Sequence, residues 1–71
     1  MNQINPKKLI NSKWTAVQPD KKEKHFMVTE VEFDEEESVI SCLLEAVLSK
    51  RSTLIQWQEL KDARKWVHGW R

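Results

Sequence analysis

Four tryptophans, two histidines and one cysteine are the residues here whose types could do chemistry. Trp57, Trp66 and Trp70 fall in the last third of the chain, and Trp14 stands alone near the other end. A cation accompanies three of them: Lys13 beside Trp14, Lys65 beside Trp66 and Arg71 beside Trp70. Bases of a single strand stack on aromatic faces while Lys and Arg hold the phosphates. The pattern therefore predicts a surface for single-stranded nucleic acid, RNA first, built from Lys13, Trp14, Lys50, Arg51, Arg64, Lys65, Trp66, Trp70 and Arg71. A competing demand comes from the core, since a small domain with little else to bury cannot give all four indoles to a ligand. Trp14 and Trp57, placed in strands, read more strongly as core than Trp66 and Trp70. The second class of function is a protein-interaction module, with an aromatic groove for a proline-rich or extended peptide, or the acidic hairpin facing a basic partner. Self-association through an unpaired strand edge is a third.

The remaining reactive types point away from catalysis, and no enzyme activity, cofactor, metal or small-molecule substrate is expected. His25 and His68 are far apart and in no known motif. Cys42 lies on the most apolar stretch of the chain and reads as a core cysteine rather than a nucleophile. The acids Asp34 to Glu37 lack the alternating spacing of a cation-binding loop and read as a solvated tip. A single glycine leaves no phosphate-cradling loop.

At 71 residues the chain is one domain. A domain near this size buries only about 60% of the surface its unfolded chain exposes. One cysteine allows no internal disulfide, which favours a reducing, cytoplasmic setting. The first residues carry no apolar run, so neither a signal peptide nor an anchor is expected. No apolar stretch approaches the roughly 20 residues of a membrane span. The net charge of +1 hides a segregation. Residues 1–25 hold six Lys against Asp20 and Glu23, residues 26–49 hold seven acids and no base, and residues 50–71 hold six bases against Glu59 and Asp62. Such a chain either presents a bipolar surface that orients a polyanion or simply keeps a small domain solvated.

These residues must be positioned by short elements. Residues 1–11 read as a flexible lead-in and 12–71 as one small globular domain. Ser12 to Val17 alternates as a strand, and Pro19-Asp20 breaks it. Lys21 to Lys24 form a charged loop. His25 to Phe33 is the clearest strand, rich in β-branched and aromatic residues, with Met27, Thr29, Val31 and Phe33 alternating with Val28, Glu30 and Glu32. Asp34 to Ser38 is an acidic loop. Val39 to Leu48 fits two periods. As a strand it places Ile40, Cys42, Leu44, Ala46 and Leu48 on one apolar face. As a helix it has an apolar stripe with acids at its start and Lys50-Arg51 at its end. The strand is preferred because the acidic loop then closes a hairpin. Ser49 to Ser52 is a turn, and Thr53 to Trp57 a strand. Glu59 to Lys65 makes one or two helical turns with Leu60 and Ala63 inward. Trp66 to Trp70 ends the chain as a short strand or hook, with Gly69 at a bend. The sum is a mainly β domain, a small antiparallel meander or an SH3-like partial barrel, with one short helical turn near 59–65; the alternative is α+β with a helix at 38–50.

Several short motifs in a fixed order resemble a family of small bacterial tryptophan-rich proteins of unknown function. They are residues 5–9 (Asn5, Pro6, Lys7, Lys8, Leu9), 12–17 around Trp14, 23–26 (Glu23 to Phe26), 44–47 (Leu44 to Val47), 49–51, 57–62 (Trp57 to Asp62) and Gly69-Trp70. The resemblance implies a bacterial, cytoplasmic, single-domain protein and brings no activity with it. It also implies a glycine in the acidic loop where this chain has Glu37-Ser38, and so a turn there.

Overall fold

A computed structural model describes residues 2–20 and 22–71. Lys21, in the expected charged loop, lies outside the described residues, as does Met1. The architecture is one open antiparallel sheet of five strands: β1 (Lys13–Asp20), β2 (Glu23–Phe33), β3 (Val39–Ala46), β4 (Ser52–Ile55) and β5 (Trp66–His68). Their order is β4-β3-β2-β1-β5. Four strands run as a meander, and the chain then returns to add β5 beside β1. The meander is thus the form observed rather than the partial barrel, with β4 and β5 as the two edges. Among the described residues the only helical pieces are 3-10 turns at Pro6–Lys8 and Trp57–Lys61. No helix among the described residues is long and apolar enough to cross a membrane.

Residues 39–46 are a strand, which excludes the helix at 38–50. Period two decides it: Cys42, Leu44 and Ala46 are buried in alternation, each facing a partner on β2 or β4. The ends of that apolar face are not buried, since Ile40 and Leu48 are 62% and 72% exposed. Asp34 closes the β2–β3 hairpin by accepting from the amides of Glu36 and Ser38, both at 2.9 Å. Glu37 sits there at φ 63, a left-handed conformation that glycine adopts more easily.

Two expectations are corrected by backbone irregularity. The regular alternation read in β2 breaks between Val28 and Glu30, where two residues oppose one on β3. This bulge reverses the phase, so that Val28 is fully buried and Val31 also packs against the core. Pro19-Asp20 does not end β1, which runs to Asp20 across a register shift after Thr15. β5 covers β1 only from Trp14 to Ala16, so Pro19 lies where its missing N–H interrupts no ladder on that side.

The core lies on one face and is small: Leu9, Trp14, Val28, Cys42, Leu44 and Leu60, with Phe26, Val31, Ile55, Trp57 and Trp66 packed against it. Its cover is the crossover of residues 56–65, which carries the chain from the β4 edge to the β5 edge, about 19 Å at the usual strand spacing. Leu60, on the 3-10 turn, is its fully buried plug. Ala63, expected inward, is exposed because that turn ends at Lys61. The N-terminal residues, read as a flexible lead-in, add to the same cover. Leu9 is fully buried, and the Asn2 side chain donates to the carbonyls of Leu60 and Trp66, both at 2.8 Å.

Candidate functional site

The last six residues determine where the aromatic side chains go. β5 pairs with β1, Trp66 opposite Ala16 and His68 opposite Trp14. Paired residues share a face, so Trp66 and His68 join Trp14 on the covered side. There the Trp66 ring meets Phe26 edge-on at 5.1 Å. Gly69, at φ 88, then turns the chain. Nothing lies within 4 Å of where its Cβ would be, so the backbone angle alone requires glycine. Beyond the bend the chain folds across the other face. The Thr15 hydroxyl donates to the Gly69 carbonyl at 2.7 Å and accepts from the Arg71 amide at 2.9 Å. The Trp70 indole donates to the Phe26 carbonyl at 2.9 Å. Lys13 Nζ lies 4.8 Å from the Trp70 ring centroid, and the His25 ring lies 5.9 Å away.

Between the turn end of the β1–β2 hairpin and the crossover lies a cleft of about 350 Å³, lined by Ala16, Gln18, Glu23, Phe26, Glu59, Arg64, Lys65 and Trp66. Its aromatic wall is Phe26 and Trp66, and Arg64 and Lys65 stand exposed on its rim. Arg64 Nε donates to Asp62 Oδ1 at 3.2 Å. That hydrogen bond holds the Asp62 carboxyl below its ordinary pKa and raises that of Arg64. Two carboxylates also face the cleft. Glu23 is buried, accepts from Ser49 and is gripped by the Arg51 guanidinium, whose Nε and Nη2 donate to its two carboxylate oxygens. Glu59 accepts from the Gln56 amide at 3.2 Å and so caps the 3-10 turn.

The nine candidate residues do not form one surface. Arg64, Lys65 and Trp66 come together at the cleft, and Arg51 reaches its wall through Glu23. Lys13, Trp70 and Arg71 lie together on the opposite face. Lys50 is exposed in the β3–β4 turn at φ 64. Trp14 is corrected outright. It is 1% exposed, its ring lies 4.7 Å from His68 and its indole donates to Ser12 Oγ at 2.9 Å, so no base can stack on it. Cys42 is 1% exposed, and burial pushes its thiol pKa up, as fits a core cysteine. The sequence reading missed Phe26, Glu23 and Glu59 as cleft residues. It also missed Lys61, whose Nζ lies 4.6 Å from the Trp57 centroid; its spacing of four from Trp57 was the available signal.

Charge is sorted along the strands. Lys22, Lys24 and Lys50 are exposed at the end that carries the β1–β2 and β3–β4 turns, and Asp34 to Glu37 are exposed at the other. Lys7 reaches Glu37 there at 3.5 Å.

Fold and site together define a small single-sheet β protein whose indoles are divided between core and surface. The chain belongs to the tryptophan-rich protein family DUF2389, of unknown function, whose match spans residues 12–71. No curated protein and no solved structure matches it.

Proposed function

We propose that this protein is a binding module rather than an enzyme, and that its cleft holds a single-stranded nucleic acid, RNA first. The observation that supports this is the convergence of Arg64, Lys65 and Trp66 with Phe26 on one cleft of about 350 Å³. A base lies against the aromatic wall, and the flanking phosphates meet Arg64 and Lys65 on the rim. Of the two wall carboxylates, Glu23 is paired with Arg51, which reduces its repulsion of phosphate. The absence of catalysis rests on the separation of the reactive groups: Cys42 in the core, His68 against Trp14 and His25 against Trp70.

Fluorescence anisotropy with labelled single-stranded RNA, at low and moderate salt, tests the reading. Binding falls with salt by a log–log slope of about −0.7 per phosphate neutralised. Lys65→Ala weakens binding and flattens the slope by about one phosphate contact. Binding that is insensitive to salt, or unchanged in Lys65→Ala and Arg64→Ala, contradicts it. The second reading, a protein partner at the aromatic groove, is favoured by Glu59 on the cleft wall: an extended peptide bearing a Lys or Arg would meet that carboxylate, and its affinity would fall in Glu59→Gln while RNA affinity would rise.

A further inference from the structure

The two edges of the sheet are finished differently. In the β1–β5 ladder, Val17 N donates to Lys65 O and Gly69 N to Lys13 O. Hydrogen-bonded pairs alternate along an antiparallel ladder, so the backbone of Trp66 points outward. Both of its groups are satisfied by the chain itself: Trp66 N donates to Asp62 O at 3.0 Å, and Trp66 O accepts from the Asn2 side chain at 2.8 Å. At Trp66 the chain itself closes that edge.

β4 has no such cover. Ala46 N donates to Arg51 O at 2.8 Å, so Thr53 and Ile55 bond to β3, and Ser52 and Leu54 turn their N–H and C=O groups outward. Among the described residues nothing bonds those outward groups. β4 contains no charge and no proline, two of the usual protections of an edge. Leu54 is 69% exposed.

We propose that β4 pairs antiparallel with β4 of a second copy of this chain, Thr53 facing Thr53 across a two-fold axis. In that register Ser52 of each copy lies opposite Leu54 of the other. Every outward N–H and C=O of the two residues then finds a partner, in four hydrogen bonds across the axis, and the two sheets become one. A second copy fits better than an unrelated strand because of how charge and apolar groups lie along the sheet. Antiparallel pairing sets the end bearing Lys22, Lys24 and Lys50 of one copy alongside the end bearing Asp34 to Glu37 of the other. The same arrangement brings the exposed Leu48, just before β4, toward the far end of the other copy, where a notch of about 330 Å³ lies beside Ile40, Gln56 and Trp57.

Sedimentation equilibrium of the full chain, from about 1 μM to about 1 mM, covers the weak to moderate range of affinities. The expected result is a monomer–dimer equilibrium that weakens as salt rises. Leu54→Pro removes an outward N–H and no donor of the β3–β4 ladder, so it abolishes the dimer with the sheet intact by circular dichroism. Should that variant fail to fold, Leu54→Lys, which charges the edge and leaves the backbone alone, gives the same loss. In a mixture of isotope-labelled and unlabelled chains, filtered cross-peaks appear between Thr53 of the two copies. A wild type that stays monomeric throughout overturns the proposal and leaves the edge to a strand of another protein. A dimer that survives Leu54→Lys, or that lacks the Thr53 cross-peak, overturns it as well.

Discussion

On the covered face, the Trp14 indole lies 4.7 Å from the His68 ring and donates to Ser12. On the other face, the Trp70 indole lies 5.9 Å from the His25 ring and donates to the Phe26 carbonyl. The partners are nearly the same, yet Trp14 is 1% exposed and Trp70 is 43% exposed. The difference follows from the strand period. Trp14 and Thr15 are neighbours on β1 and point to opposite faces. Trp14 enters the core, whereas Thr15 holds the terminal hook that carries Trp70. Residue type and an adjacent cation therefore do not identify a binding tryptophan; the face it occupies and what covers that face do.

The largest expected effect separates the two indoles. Trp14→Ala removes the largest fully buried side chain among the described residues and costs about 3–5 kcal/mol, a large share of the roughly 5–15 kcal/mol by which domains are stable, so the variant is expected to unfold. Trp70→Ala costs about 2 kcal/mol and leaves the sheet folded, because part of that ring is already in water. Urea denaturation of both variants checks the ranking, and equal costs would break the comparison. Thr15→Val sharpens it from the other side. The variant deprives the Gly69 carbonyl and the Arg71 amide of their shared partner, costing about 1–3 kcal/mol, and it releases Trp70 without disturbing Trp14, as seen in the two indole NMR signals. Gly69→Ala costs about 1 kcal/mol through its positive φ alone. The smallest effect is Lys13→Ala, worth about 0.5–1 kcal/mol as an exposed cation–aromatic contact, read as a shift of the Trp70 indole.

Cys42 gives the pH dependence of the covered face. Burial raises its thiol pKa above the 9.0 of a free thiol, so the folded state disfavours the thiolate that the unfolded chain forms freely. Its contribution is complete below that value and is lost as pH rises through the folded pKa. Urea midpoints should therefore fall on the alkaline side of 9.0, and less so in Cys42→Val.

Much of the fold was legible in the residues. His25 to Phe33 had the composition of a strand, and β3 could be chosen over a helix because the acidic loop closes a hairpin. The bulge after Val28 was not legible, because the alternation there looks regular and only the pairing with β3 exposes the extra residue. The crossover was hidden for a related reason: Leu60 plugs the core only because the chain passes from one edge of the sheet to the other, and local pattern carries no edge order. The site divides in the same way. Arg64, Lys65 and Trp66 are contiguous and were readable as a group. Phe26, Glu23 and Glu59 reach the cleft through strand pairing and the crossover, and the burial of Trp14 depends on a return strand more than fifty residues away.

The most direct measurement is a residue-resolved NMR titration of labelled protein with mixed single-stranded RNA oligomers, at low and moderate salt. The cleft proposal predicts that the Trp66 indole and the backbone of Arg64 and Lys65 shift together at low salt and relax as salt rises, while the Trp14 indole stays still. Shifts confined to Trp70, Lys13 and Arg71, or no shifts at low salt, would contradict the assignment of the cleft.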